Sequence, residues 1–264
     1  MNLKNAMLAL ACLASATPLM AQENPYDLLG KALMPIANVF ARNPDGTPGA
    51  HALLLDAHLL AASKLPPELQ NQSVHVALMT PAQLLVQAPI AGQTLTVCRD
   101  GRELWATPGS KIQYLIDQAS TAPSPGPSEK KKKKSKDAAA KVLGPLVLPV
   151  PQKDLVFLPI LFQVADAGAD TVAGAPCRML DVQLMPQLAK SLHAQDWTAR
   201  LWIAADYTIV RIALTGPDWT GTVAIDNLTF PPSLPDPTFQ PPASDVLVLT
   251  PAQFLVLLSR LGRK

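Results

Sequence analysis

Acid–base, metal and nucleophilic chemistry needs histidine, cysteine, serine and carboxylate side chains brought to workable spacings. This chain of 264 residues offers few such spacings. Its four histidines, His51, His58, His75 and His193, include no pair at the HExxH spacing that stacks two imidazoles one helical turn apart. Serine, histidine and aspartate all occur, but no GxSxG elbow presents a serine to a histidine. Gly109-Ser110-Lys111 lacks the glycine spacing of a phosphate-cradling loop. Asp236 and Asp245 stand in loop-like sequence with no convergent partner. These residues point to a non-catalytic protein with no metal site and no cofactor.

Cysteine usage bears on the compartment. Residues 1–21 have the plan of a secretory signal: Lys4 as the positive start, a short apolar stretch over 6–16, and Leu19-Met20-Ala21 before Gln22. Cys12 admits a second reading, cleavage before it at Ala9-Leu10-Ala11 to give a lipoprotein. With the leader removed, Cys98 and Cys177 remain. In an exported chain they permit a disulfide, and the alternative is two buried thiols. The expected location is periplasmic or secreted.

The formal net charge of +2 conceals a division. Seven lysines fall within residues 129–141, six of them in the run from Lys130 to Lys136. Setting these and Lys4 aside leaves 14 basic side chains against 18 acidic ones outside the segment, a body of about −4. With the Pro/Ser-rich stretch before it, the segment over 119–141 reads as a flexible, solvated insertion. The sharper alternative is attraction to an anionic membrane surface through Lys130–Lys136. A nucleic-acid partner does not suit an exported protein.

The elements that would position any site are mostly strands. Helical spacing over 26–42, interrupted by Pro35, predicts a kinked helix or two short pieces. Alternation then predicts strands over 50–62, 73–79 and 84–88, and a hairpin over 94–108. Asp100-Gly101 reads as the central pair of a type I′ turn. Pairing outward from it sets Val97 against Leu104 and Thr96 against Trp105. Leu95, Val97, Leu104 and Ala106 then share one dry face, opposite Thr96, Cys98, Glu103 and Trp105. One more strand is expected over 111–116. Residues 142–164 are strongly apolar, but four prolines and Lys153-Asp154 argue against a membrane span. They read as a lid or as Pro-broken core cover. Strands resume over 175–185, 197–204, 207–214 and 218–228, followed by a Pro-rich extended stretch over 230–242. Thr250-Pro251-Ala252-Gln253 is a capping box with proline at the first helical position, opening a helix to about residue 260. Trp105, Trp197, Trp202 and Trp219 all fall in strands, as core or as cavity lining.

The order of these elements, with Asp100-Gly101, Trp105 and Pro108 after the first strands and Phe239, Pro241-Pro242 and Asp245-Val246 after the last, resembles the LolA-like family of periplasmic lipoprotein carriers and outer-membrane lipoprotein-sorting proteins. The resemblance covers about residues 25–247. It implies an α+β fold, a half-open antiparallel β-barrel with helices closing the concave side, and an apolar cavity that takes acyl chains of a lipid or lipoprotein. On this basis Asp100, Gly101, Trp105, Phe239 and Pro242 are fold markers. The chain departs from the carriers in its lysine-rich insertion and in the helix after Thr250, and no lid arginine can be matched.

The resulting expectations are a signal over 1–21, a LolA-like domain over 22–247 and a terminal helix over 248–264. The protein is expected to be a monomer. Its cavity candidates are Leu53, Leu55, Val97, Leu104, Trp105, Leu155, Phe157, Leu201, Trp202 and Ile209. The Val97 face is expected to look into the cavity, with Trp105 packed outside beneath the terminal helix. An envelope sensor or protein-interaction module built on the same fold is the alternative function.

Overall fold

A computed structural model describes residues 23–47, 49, 51–63, 71–90, 92–120 and 144–261. The leader, Cys12 and the run from Lys130 to Lys136 lie outside the described residues.

The alternating segments form one antiparallel sheet. Its strands are β1 (Ala52–Ala62), β2 (Ser73–Met79), β3 (Gln83–Ile90), β4 (Gln93–Asp100), β5 (Leu104–Thr107), β6 (Phe162–Val172), β7 (Ala175–Leu184), β8 (Thr198–Ala204), β9 (Ile209–Thr215), β10 (Thr220–Thr229) and β11 (Leu247–Leu249). The order across the sheet is β11-β5-β4-β3-β2-β1-β10-β9-β8-β7-β6. The sheet curves but does not close, and β11 and β6 are its edges. Bulges interrupt the β1/β10, β6/β7 and β8/β9 ladders, where an unpaired residue adds bend and twist.

Helices cover one face. Helix α1 (Pro25–Val39) starts at Asn24, whose side chain accepts from the Tyr26 amide. It runs as one helix through Pro35. Proline in a helix interior costs about 3 kcal/mol. Here apolar contacts on both sides of it hold the helix together. Leu28, Leu29 and Ala32 pack on Leu180, Val182, Leu201, Ile203 and Ile209, and beyond the proline Val39 packs on Leu53 and Leu78. Helix α2 (Gly109–Ser120) and helix α4 (Pro251–Leu261) pack at the other flank, over Leu95, Leu104, Ala106 and Leu249. The short helix α3 (Pro186–Ser191) follows β7.

β11 (Leu247–Leu249) forms where the terminal helix is expected to begin, α3 (Pro186–Ser191) is not among the expected elements, and two further elements depart from expectation. Residues 111–116 belong to α2 and form no strand. Ile112, Tyr114 and Ile116 alternate, but Ile112, Leu115 and Ile116 also have helical spacing, so six residues fit both periods. The decision comes from outside the segment. The Asp245 carboxylate accepts from the Ser110 amide at 2.8 Å and from the Ser110 hydroxyl at 3.1 Å, satisfying a donor that a new helix would leave unpaired. The second departure is β6, absent from the predicted strands. Its Ala/Gly/Asp-rich, largely exposed sequence has little β-propensity and no alternation, and pairing with β7 makes it a strand.

The hairpin turn is also one residue further along. Asp100 and Glu103 close it, leaving Gly101 (φ +98°) and Arg102 at its centre. Positive φ at the first central position is the type II′ pattern. The Asp100 carboxylate accepts from the amides of Arg102 and Glu103 and holds that turn. Val97 therefore pairs with Ala106 and Cys98 with Trp105. The partners slide by two residues, so the two faces keep their membership.

Candidate functional site

The register of the central ladders builds a continuous apolar row on the helix-bearing face. Leu228, Leu55, Val76, Val86, Val97, Ala106 and Leu247 are successive partners across β10, β1, β2, β3, β4, β5 and β11. A parallel row beside it runs Leu53, Leu78, Leu84, Arg99, Leu104 and Leu249. Seven strands at about 4.8 Å spacing make the first row roughly 29 Å long.

Helices fill the two ends of this face. The α1 side forms one packed group with β7 to β9, and α2 with α4 forms another with β4, β5 and β11. Val74, Val76 and Val86, midway between, are half-buried and join neither group. They make an apolar strip between the two helical covers. The segment entering at Gly144 crosses nearby: the Leu146 amide donates to the Pro81 carbonyl, and Leu146 packs near Leu84.

Arg99 is the charged side chain of the second row. Its Nη1 donates to the Gly144 carbonyl at 2.7 Å, and burial pulls the guanidinium below its ordinary pKa. It thus ties the segment after the lysine-rich run to the rim of the strip. Its parity with Val97 and Leu95 puts it on the dry face, where its strand partner is Leu104.

The ten predicted cavity residues divide among several surroundings. Leu53, Leu55, Val97 and Leu104 lie in the two rows. Leu201 and Ile209 are on the same face but are packed beneath α1. Leu155 packs against Ala37 and Ala41 from a 3₁₀ helix (Gln152–Leu161), while Phe157 on the same helix is exposed. Trp105 and Trp202 are on the opposite face.

Trp105 is fully buried there with Ala52, Ala77, Leu85 and Cys98, under Leu234 and Phe239 of the Pro-rich stretch. Its Nε1 donates to the Phe239 carbonyl at 3.3 Å. The cover over Trp105 is therefore this stretch, with its short 3₁₀ helix (Asp236–Phe239). The terminal helix instead lies on the Val97 side, because β11 delivers it there. Trp105 and Phe239, two of the markers carried from the resemblance, thus hold one core together. Trp202 donates to Asp170 at 2.8 Å and lies 5.4 Å beneath the Arg211 guanidinium. Trp197 and Trp219 pair at the strand ends with centroids 6.2 Å apart.

Cys98 and Cys177 are both buried and free. β4 and β7 are seven neighbours apart in the sheet, on the order of 30 Å along it. A disulfide needs Cα atoms within about 7 Å, so the permitted bridge is not made. Burial, reinforced by the Asp100 charge, pushes the Cys98 thiol up to about 12.

Two histidine–carboxylate pairs lie on the outer face. His75 meets Asp56 at 2.6 Å, and His58 meets Asp226 at 2.7 Å. Asp226 is the unpaired residue of the β1/β10 bulge, which is why strand alternation did not join it to His58. The His75 bond holds the Asp56 carboxyl below its ordinary range. Both pairs are well exposed, where such interactions contribute about 1 kcal/mol or less. Among the described residues, no group of three histidine, cysteine or carboxylate side chains is placed to hold a metal ion.

A hollow of about 760 Å³ opens at the β6 to β9 end. Gln163, Gln183, Thr198, Thr215 and the Asp181–Arg200 ion pair (2.7 Å) share its lining with Tyr26, Val164, Ala199 and Trp202, a mixed surface on which Trp202 is the predicted site residue.

No family model matches the chain, and no curated protein matches it. Solved structures do. The chain is similar to the lipoprotein LppX of Mycobacterium tuberculosis (TM-score 0.39, 10% identity, 76% of this chain and 92% of that one). It is similar to a LolA superfamily protein of Nitrosomonas europaea (TM-score 0.26, 11% identity, 83% and 98%). A Vibrio parahaemolyticus domain assigned to outer membrane lipoprotein sorting is a third (TM-score 0.30, 8% identity, 81% and 95%). The structural neighbours thus include LolA-superfamily and lipoprotein-sorting proteins at low identity, and no ligand or activity of this chain follows from them.

Proposed function

We propose that this protein is a non-catalytic lipid-binding protein of the cell envelope that lays an acyl chain of a lipid or lipid-modified protein along the apolar strip. The observation that carries this reading is the row through Leu55, Val76, Val86 and Val97. It is a run of aliphatic side chains in register on the helix-bearing face, with Leu55 and Val97 packed against the helical groups at its ends and Val76 and Val86 half-buried between them. Each CH₂ group buried there contributes about 0.8 kcal/mol. Leu53 and Leu104 flank the row, and Arg99 beside it holds the segment at Gly144 against its rim. In this reading Leu201, Ile209 and Leu155 support the helices that wall the strip, while Trp105, Trp202 and Phe157 take no part in lining it.

Export follows the signal over 1–21, and N-terminal sequencing of the mature protein tests it. Among the described residues no helix is long and apolar enough to cross a membrane. The binding claim is tested by native mass spectrometry of the purified protein before and after delipidation, with uptake of a fluorescent fatty acid. Bound lipid and saturable uptake are expected. A protein that carries no lipid and takes up none overturns the reading.

A further inference from the structure

The two edges of the sheet are protected unequally. β11 is three residues long and runs almost directly into α4. β6 is eleven residues long, and its sequence holds no lysine, arginine or proline. Short strands, lysines and prolines are the usual guards against further pairing. Among the described residues no strand lies beyond β6. Its one interruption is the bulge between Asp166 and Gly168, which leaves residues 162–166 as a regular edge of about 16 Å.

The phase of the ladder decides which backbone groups this edge offers. In an antiparallel pair alternate residues exchange both hydrogen bonds, and the residues between them turn their N–H and C=O the other way. The Met185 amide donates to the Leu161 carbonyl at 2.9 Å. In the same register Gln163 is opposite Gln183 and Ala165 opposite Asp181. Gln163 and Ala165 therefore direct their backbone groups at β7, while Phe162, Val164 and Asp166 face outward. The Phe162 amide is taken by the Pro159 carbonyl. The edge thus presents the Phe162 carbonyl, both groups of Val164 and the Asp166 amide, in the order an added antiparallel strand requires.

The outer side of this edge opens onto the hollow of about 760 Å³. Gln163 and Ala165, both exposed, line it from β6. Val164 and Tyr26 border it from the helix-bearing side, so the hollow reaches the edge itself. Side chains alternate along a strand, so one added opposite Val164 would direct the two neighbours of the paired residue over the hollow. There they would meet Gln163, Gln183, Thr198 and Thr215, with Asp181 and Arg200 closed on each other at 2.7 Å. That lining offers amide and hydroxyl groups with no net charge, and it fits uncharged polar side chains. A second β6 paired about Val164 would bring only Gln163 and Ala165 to these positions, and the methyl group of alanine leaves its share of the hollow unfilled.

We propose that the edge over residues 162–166 binds an extended peptide of a partner protein by antiparallel strand addition. The peptide pairs backbone to backbone at Val164 and lays uncharged polar side chains in the hollow on either side of the paired residue. This site is separate from the strip on the sheet, and the proposal stands whether or not the strip holds lipid.

The test is selection of heptapeptides from a random display library on the full chain without its leader, followed by titration of synthetic copies by fluorescence anisotropy. Saturable binders with uncharged polar residues two apart are expected, and they should slow hydrogen exchange at the Val164 and Asp166 amides. Val164→Pro removes the central donor, at a position where an edge strand tolerates proline. It should weaken these peptides at least about tenfold. Ala165→Arg, which fills the hollow from an exposed position, should weaken them comparably and carries the test alone if Val164→Pro unfolds. Val86→Glu, in the strip, should leave peptide affinity unchanged. Urea midpoints verify that each variant is folded. A library that yields no binder overturns the proposal, as do binders whose affinity is the same in both edge variants. Displacement of the peptides by a fatty acid would put them in the strip and also overturns it. A wild-type dimer in sedimentation that Val164→Pro dissolves, with no peptide bound, identifies the edge as a contact between two copies and overturns it too. Loss of fatty-acid uptake with peptide binding intact counts against the strip alone.

Discussion

Val86→Glu is the sharpest test of the strip. Val86 stands at the middle of the row, between Val76 and Val97, half-buried and outside the packed groups that hold α1, α2 and α4. A carboxylate there reaches water through the opening the ligand would occupy, so the folding cost should stay at about 1–2 kcal/mol. Binding suffers more. If the charge excludes the segment of acyl chain above it, about three CH₂ groups at about 0.8 kcal/mol each, the loss is about 2.4 kcal/mol. That is about a fiftyfold weaker dissociation constant. Titration with a fluorescent fatty acid reads the affinity, and a urea midpoint read in parallel separates it from unfolding. Gln183→Glu places the same charge on the polar outer face and should leave affinity unchanged. Equal affinities for wild type and Val86→Glu, with both folded, would refute the reasoning, because no chain lying along this row can avoid its central residue.

Further outcomes follow from other contacts. Gly109 approaches the β11 backbone so closely that an added Cβ would lie 2.7 Å from the Leu247 amide nitrogen. Gly109→Ala should cost about 1–3 kcal/mol in chemical denaturation and raise hydrogen exchange at residues 247–249, whereas unchanged exchange would mean that the edge strand adapts freely. The Thr250 and Gln253 capping box is reciprocal, the Thr250 amide donating to Gln253 at 2.8 Å and the Gln253 amide to the Thr250 hydroxyl at 3.3 Å. Thr250→Ala should cost about 1 kcal/mol, seen as faster exchange over 254–256. The Cys98 thiol, raised to about 12 by burial, keeps its proton in the folded protein while an ordinary thiol near 9 has lost it. Stability from this source is complete below about 9 and falls as pH rises through the interval to about 12. Urea midpoints of Cys98→Ala should therefore decline less steeply over that interval than those of wild type, and parallel slopes would contradict the assignment. His75→Ala should raise the Asp56 carboxyl toward its ordinary value, measurable by NMR titration, since the His75 bond is the main cause of its depression.

Sequence pattern alone was enough to identify the sheet, nine of its strands and the membership of the hairpin faces. Side chains in a strand alternate with a period of two, and a half-buried ladder writes that period into residues such as Leu53, Leu55, Val74, Val76, Leu95 and Val97. The Thr250–Gln253 box was legible for the same reason, since its partners lie three residues apart and need nothing distant. What tertiary structure decided was everything that depended on a remote partner. Residues 109–120 became helical under a cap from Asp245, 135 residues from Ser110 in the chain. β6 became a strand through its ladder to β7, without local propensity. Trp105 was buried by Phe239 from the Pro-rich stretch, while Phe157, equally apolar, was turned to water because Leu155 and Pro159 took the inward positions of its helix. Cys98 and Cys177 were separated by strand order, which no spacing in the chain encodes. Apolar content told which residues seek cover. Only the assembled sheet, whose long-range contacts set which face meets which helix, decided which of them were covered and which remained open to a ligand.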